Sequence, residues 1–263
     1  NDAIYGARHV ARKAGVPQVA PALTVNRLCG SGIQSIVSAA QLIRLGESET
    51  VLAGGMENMS QAPYVLHGAR DGFRFGVQPQ LEDLLFASLY DPYGDTYMAQ
   101  TAEKIARRLD ISRDAQDEYA LRSHQLGAEA VQSGRFAEEI APVVIPHKRG
   151  DITIDTDDHI KPDTSIEALG KLRAAFGKEG TVTAGNASGI VDGAAMLVCM
   201  TDERAKADGR DVMGIVRGHA YVGVDPKEMG IGPVPAIQKL LGEAGMSTDD
   251  VDYYELNEAF RAQ

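Results

Sequence analysis

Ala22-Leu-Thr-Val-Asn-Arg-Leu-Cys29-Gly-Ser-Gly32-Ile-Gln-Ser-Ile-Val37 changes its hydrophobic period in the middle, and the reading of the chain turns on that change. Ala22 to Val25 has the composition of a short buried strand, whereas Ile33, Ile36, Val37, Ala40 and Ile43 recur at helical spacing. Gly30 and Gly32 allow a tight turn between the two. Cys29 is therefore expected at a strand-to-helix elbow, where the N–H groups and positive dipole end of the helix favour a thiolate. The arrangement parallels the elbow that exposes the serine of G-x-S-x-G hydrolases, without the glycine two places before the nucleophile. A free cysteine also serves as a small buried hydrophobe, and spacing alone leaves both readings open.

Outward from the elbow, the pattern predicts helix 3–14, strand 20–25, helix 32–45 and strand 49–54. Such alternation implies a layered sheet with parallel members. Residues 61–100 carry Pro63, Pro79, Pro92 and most of the aromatics, which predicts irregular structure. Helices follow over 99–109 and 113–132, the second with Ser112 as N-cap and Gly134 near its end. Alternation returns with strand 193–200, helix 201–208, strand 212–217, helix 233–244 and strand 251–256. The expected architecture is an α/β domain interrupted by a long insertion and followed by the start of a second α/β unit.

With 263 residues, 44% hydrophobic and 24% charged, the chain has the composition of a globular α/β protein able to bury a real core. A net charge of −11 disfavours nucleic acid and anionic membranes as partners. No apolar run approaches a membrane span and no signal segment opens the chain. Cys29 and Cys199 give neither a disulfide framework nor a metal cluster, so no metal and a reducing, cytoplasmic setting are expected, with an organelle left open. The chain opens at Asn1 inside a helical pattern and stops at Gln263 as another element begins, as expected of a chain incomplete at both ends.

Four separated motifs resemble the thiolase family. They are Asn26-Arg-Leu-Cys29-Gly-Ser-Gly32, Ala53-Gly-Gly-Met-Glu-Asn-Met-Ser60, Gly180-Thr-Val-Thr-Ala-Gly-Asn-Ala-Ser-Gly189 followed by Asp192-Gly-Ala194, and Asn257-Glu-Ala-Phe260. The resemblance implies a layered αβαβα fold of two similar halves with an inserted loop domain. Residues 1–60 and 191–209 then form the first half, 61–190 the insertion, and 210–263 the start of the second half. It implies CoA-dependent thiolysis of 3-oxoacyl-CoA, or the reverse Claisen condensation, through an acyl-cysteine. CoA is then a substrate, no further cofactor is needed, and the assembly is a homodimer or homotetramer.

By the same resemblance Cys29 is the acylated nucleophile, and its backbone N–H helps bind one of the oxyanions. Asn257 holds the water of an oxyanion hole. Arg173 and Ser188 contact CoA, while Met98, Met229 and Phe260 line the acyl and pantetheine tunnel. Two family segments, a Gly-His-Pro with the activating histidine and a Cys-x-Gly with a second catalytic cysteine, do not occur in this sequence. Tyr97 stands where short-chain biosynthetic members carry histidine, which favours the broader 3-oxoacyl-CoA thiolases. Two other readings remain: a noncatalytic thiolase-like fragment or scaffold subunit, and a ketoacyl synthase, which lacks the Asn257-Glu-Ala-Phe260 context.

Minor signals have plainer explanations. Asp155, Asp157, Asp158 and His159 read as a solvated strand and turn rather than a metal site. Asn58-Met-Ser60 and Asn186-Ala-Ser188 read as chance glycosylation patterns. Cys199 reads as packing within an apolar run. Lys104, Arg107, Arg108, Arg113 and Arg122 suit either CoA phosphates or a solvated helix face.

Overall fold

The structure, a computed structural model, describes residues 3–263. Its helices are α1 Gly6–Lys13, α2 Ser31–Arg44, α3 Leu84–Ser88, α4 Met98–Arg108, α5 Arg113–Gln132, α6 Ile166–Gly170, α7 Asp202–Ala207 and α8 Pro233–Ala244. Its strands are β1 Thr50–Asn58, β2 Tyr64–Leu66, β3 Leu81–Asp83, β4 Tyr90–Asp91, β5 Thr96–Tyr97, β6 Val143–Ile145, β7 Ile152–Ile154 and β8 Asp192–Met200. Two compact units result, one from the residues up to Asn58 with Asp192–His219, the other from Met59–Val191 with Ala220–Gln263. Among the described residues no helix is long and apolar enough to cross a membrane.

In the first unit β1 and β8 pair antiparallel, in register from Thr50 opposite Met200 to Asn58 opposite Asp192. Helix α2 packs against this ladder, and Val37, Ala39 and Ala53 are buried. Gly54 is required by close approach, since a Cβ there would overlap Ala195 O and Met196 Sδ on β8. Thr201 caps α7 by accepting from Arg204 N at 3.1 Å.

The second unit is built around α4. Ala99, Ala102 and Ala106 form a cluster with Val182 and Ala262, onto which Ile111, Phe176, Ala187 and Phe260 pack. Small side chains on one helical face let these loops approach the helix closely. Ser112 caps α5, its Oγ accepting from Ala115 N at 3.1 Å, and Gly134 just past the helix is left-handed, as the sequence pattern predicts.

Helices 3–14, 32–45, 99–109, 113–132, 201–208 and 233–244 are present within two to three residues of their expected ends, and strand 193–200 is β8. Strands expected over 20–25, 212–217 and 251–256 do not form. Apolar periodicity reports which residues favour burial, but a strand also needs a neighbour to take its hydrogen bonds. These segments have no ladder partner among the described residues. Nor do the ladders among the described residues contain the expected parallel members: β1–β8, β2–β3, β4–β5 and β6–β7 are all antiparallel. The stretch expected to be irregular contains β2–β3, β4–β5 and α3, whose cap Asp83 accepts from Leu85 N at 2.9 Å.

Candidate active site

Cys29 is exposed and lies just before Gly30, the N-cap of α2. The turn that presents it is held by side chains. Asn26 Oδ1 accepts from Leu28 N at 2.8 Å, Ser31 Oγ accepts from Arg27 N at 2.9 Å, and the same hydroxyl donates to Leu28 O at 2.7 Å. Arg27 Nε reaches Gln34 Oε1 at 2.8 Å, fastening the turn to the first turns of the helix. The sharp bend falls on a residue the sequence did not single out: Leu28 is left-handed, with φ of 47°, whereas Gly30 has φ of −85° and Gly32 is helical. A leucine in that region is strained by about 1–2 kcal/mol, and the four hydrogen bonds around it hold it there. A tight turn into α2 is thus present, but no strand precedes it and its strain falls before the thiol. Cys199, by contrast, is half-buried in β8, and burial pushes its thiol up from the ordinary cysteine value.

The remaining predicted residues belong to the second unit. Ser188 and the Asn257–Phe260 segment are brought together: Ser188 N donates to Ala259 O at 2.8 Å, Arg261 N donates to Asn186 O at 3.0 Å, and Ala187 forms an antiparallel bridge with Phe260. Phe260 packs on the α4 cluster, and Met98 opens that helix. Met229 lies in a short 3₁₀ segment, Pro226–Ile231, which is clamped to α4. There Glu228 accepts from Arg108 at 2.6 Å and pairs with Lys104 at 3.3 Å; Arg108 first, then Lys104, hold its carboxyl below the usual range. Helix α4 thus carries Met98 and packs against the segments that bear Met229 and Phe260. Arg173 lines a groove of about 510 Å³ with Arg113, Leu172 and Lys178.

The structure also brings together residues that the sequence reading missed. A cavity of about 270 Å³ beside the Ser188 loop is lined by His124, His159, Lys161, Leu169, Leu172 and Arg261, among others. The His159 ring lies over Gly189 so closely that a Cβ there would overlap it, and its centroid is 6.4 Å from that of His124. His124 Nδ1 faces Lys161 N at 3.2 Å. Burial first, then Arg261, His159 and Lys161, lower the His124 pKa. Lys161 and Arg261, the latter paired with Glu258 at 3.2 Å, stand beside the apolar Leu169, Leu172 and Ala187, a lining suited to a ligand with a polar end and an apolar arm. Residue 124, the pair 159 and 161, and residue 261 are far apart in sequence and share no motif, so only the fold reveals them together. Three of the basic residues considered for phosphate binding are engaged otherwise: Lys104 and Arg108 with Glu228, and Arg113 with Asp117 at 2.8 Å.

Comparison with known proteins identifies the family. The family model for the thiolase N-terminal domain matches residues 2–203 and that for the thiolase C-terminal domain matches 210–263. The beta-ketothiolase BktB of Cupriavidus necator is 49% identical over 263 residues, covering 99% of this chain and 66% of that protein. A crystal structure of human mitochondrial 3-ketoacyl-CoA thiolase superposes with a TM-score of 0.95 at 46% identity, and one of the same enzyme in complex with CoA with 0.93. These cover all of this chain and 66% and 65% of theirs, so the chain spans just under two thirds of the length of the relatives it matches. With both family models matched in order, and its fold shared with solved thiolases along its whole length, this chain belongs to the thiolase family.

Proposed function

We propose that the full-length protein is an acyltransferase that cleaves 3-oxoacyl-CoA, including acetoacetyl-CoA, with CoA, or runs the reverse Claisen condensation. The supporting observation is the exposed Cys29 thiol, held on a side-chain-bonded elbow in a member of the thiolase family. In thiolysis the Cys29 thiolate attacks the 3-oxo carbon. As the tetrahedral oxyanion collapses, the C2–C3 bond breaks, and the two-carbon enolate takes a proton at C2 to leave as acetyl-CoA. A CoA thiolate then attacks the acyl-Cys29 carbonyl, and the S–C bond to Cys29 breaks, releasing an acyl-CoA shortened by two carbons. Asn257 holds a water that donates to one oxyanion, and the Cys29 N–H helps bind the other.

The cavity of His124, His159, Lys161 and Arg261 takes part of CoA beside Ser188. Arg173 meets its anionic end, while Met98, Met229 and Phe260 line the acyl and pantetheine path. The resemblance assigns the base and the second thiol to Gly-His-Pro and Cys-x-Gly segments, which these 263 residues do not contain. In this reading residues 1–60 with 191–209, 61–190 and 210–263 are the first half, the insertion and the start of the second half. The protein works without a further cofactor, as a homodimer or homotetramer, in the cytoplasm or an organelle.

The test is acetyl transfer. Incubation of the full-length protein with acetyl-CoA should add one acetyl group at Cys29, and acetoacetyl-CoA should be consumed when CoA is supplied. Neither acetylation nor cleavage would favour the noncatalytic scaffold instead.

A further inference from the structure

The loop from Thr181 to Gly189, which carries Ser188, is built around an amide that lines neither of the two cavities described above. Asn186 is fully buried. Its Nδ2 donates to Asp117 Oδ1 at 2.8 Å and to Thr181 O at 2.9 Å, and its Oδ1 accepts from Thr183 N at 2.8 Å. Its backbone O accepts from Arg261 N. One residue thus closes the loop on itself, ties it to α5, and joins it to the segment bearing Asn257 and Phe260. Asp117, 2% exposed, binds Arg113 Nε at 2.8 Å through its other oxygen. Arg113 in turn donates to Leu169 O at 2.6 Å, in the lining of the cavity that holds His124 and His159.

An apolar group of similar size would fill this space with less desolvation cost. What a fully satisfied polar network supplies is direction, because each of its hydrogen bonds admits a narrow range of angles. Here the directions converge on the pairing of Ala187 with Phe260. A slip at that pairing would separate Ser188 from Asn257.

We infer that Asn186 and Asp117 are positioning residues, which hold the CoA-contacting loop and the oxyanion-water segment in one register. The inference rests on the roles given above to Ser188 and Asn257. It is tested in the full-length protein with three variants. Asn186→Ala removes the hub. Asn186→Asp keeps its size and the acceptor for Thr183 N, but replaces the donors toward Asp117 and Thr181 O. Asp117→Asn disturbs only the arm to Arg113.

Steady-state thiolysis of acetoacetyl-CoA is measured per Cys29 titrated by iodoacetamide, alongside the melting temperature. The expected result is a coupled rise in KM for CoA and fall in kcat, lowering kcat/KM by roughly ten- to a hundredfold in both Asn186 variants, as for a displacement of about 1 Å. Asp117→Asn should show the same coupled change to a smaller extent, and it decides the question if the Asn186 variants do not fold. Lower melting temperatures with wild-type kcat and KM per titrated thiol would overturn the inference and leave a purely structural network. An inactive wild type would overturn the thiolase reading, and this inference with it.

Discussion

Two thiols in one chain provide an internal control, because only their surroundings differ. Alkylation follows thiolate content and access together. Cys29 is exposed, whereas Cys199 is half-buried with its thiol pushed up by burial. In the folded protein iodoacetamide should therefore label Cys29 first, with peptide mapping as the measurement; preferential labelling of Cys199 would remove Cys29 as the nucleophile. Cys29→Ser should abolish turnover and leave the circular dichroism spectrum and melting temperature in place. A second residue-scale prediction concerns Glu103, a carboxylate 2% exposed that accepts from Thr181 N at 2.8 Å, Val182 N at 2.8 Å and Thr181 Oγ1 at 3.1 Å. Glu103→Ala leaves these donors without their acceptor beneath the Ser188 loop. Denaturant unfolding should show a loss of about 2–4 kcal/mol; a loss under about 0.5 kcal/mol would mean that water replaces the carboxylate.

Helix α5 brings His124 to the cavity beside the Ser188 loop, and the consequence is readable against pH. The pKa of His124 is lowered by burial first and by Arg261, His159 and Lys161 next, so below the ordinary histidine value of about 6.5 the folded state binds fewer protons than the unfolded one. The corresponding stability is present above that value and is lost as pH falls through it toward the folded pKa. Thermal melts from about pH 7.5 to about pH 5.5 should therefore show the wild type losing more stability than His124→Gln, with the gap opening below the unfolded histidine pKa. Parallel curves would mean that the ring is solvated. At the other end of legibility stands the α5 cap, readable from Ser112 alone, whose replacement by Ala should cost about 1 kcal/mol. Capping and helical period are local, so α2, α4, α5 and α8 were accessible from sequence. That no strand forms at 20–25, 212–217 or 251–256 was not, because pairing is decided by partners elsewhere in the chain. The cavity depended on the same long-range information: His124 and His159 meet only once α5 and the Ser188 loop have packed. Leu28 was hidden for another reason, since a strained leucine carries no mark in its sequence.

For the whole molecule, the absent Gly-His-Pro and Cys-x-Gly segments lead to a direct expectation. Under the proposed mechanism a polypeptide limited to residues 1–263 should show no measurable thiolysis, because Cys29 would lack its base and the substrate its second proton carrier. It should also self-associate through the β1–β8 ladder, where Leu52, Met56, Met196, Leu197 and Val198 are each 43–59% exposed. Light scattering and an acetoacetyl-CoA assay on the purified piece check both; a monodisperse, active sample would mean that one of its six histidines supplies the base. The pairing of β1 with β8 has one more consequence, for the order of synthesis. The whole of residues 59–191 must emerge between the two strands. At about 5–20 residues per second this leaves β1 waiting on the order of ten seconds for its partner on the ribosome. The second unit begins to fold while the first is still open, so the nascent chain is expected to depend on chaperone cover over that interval.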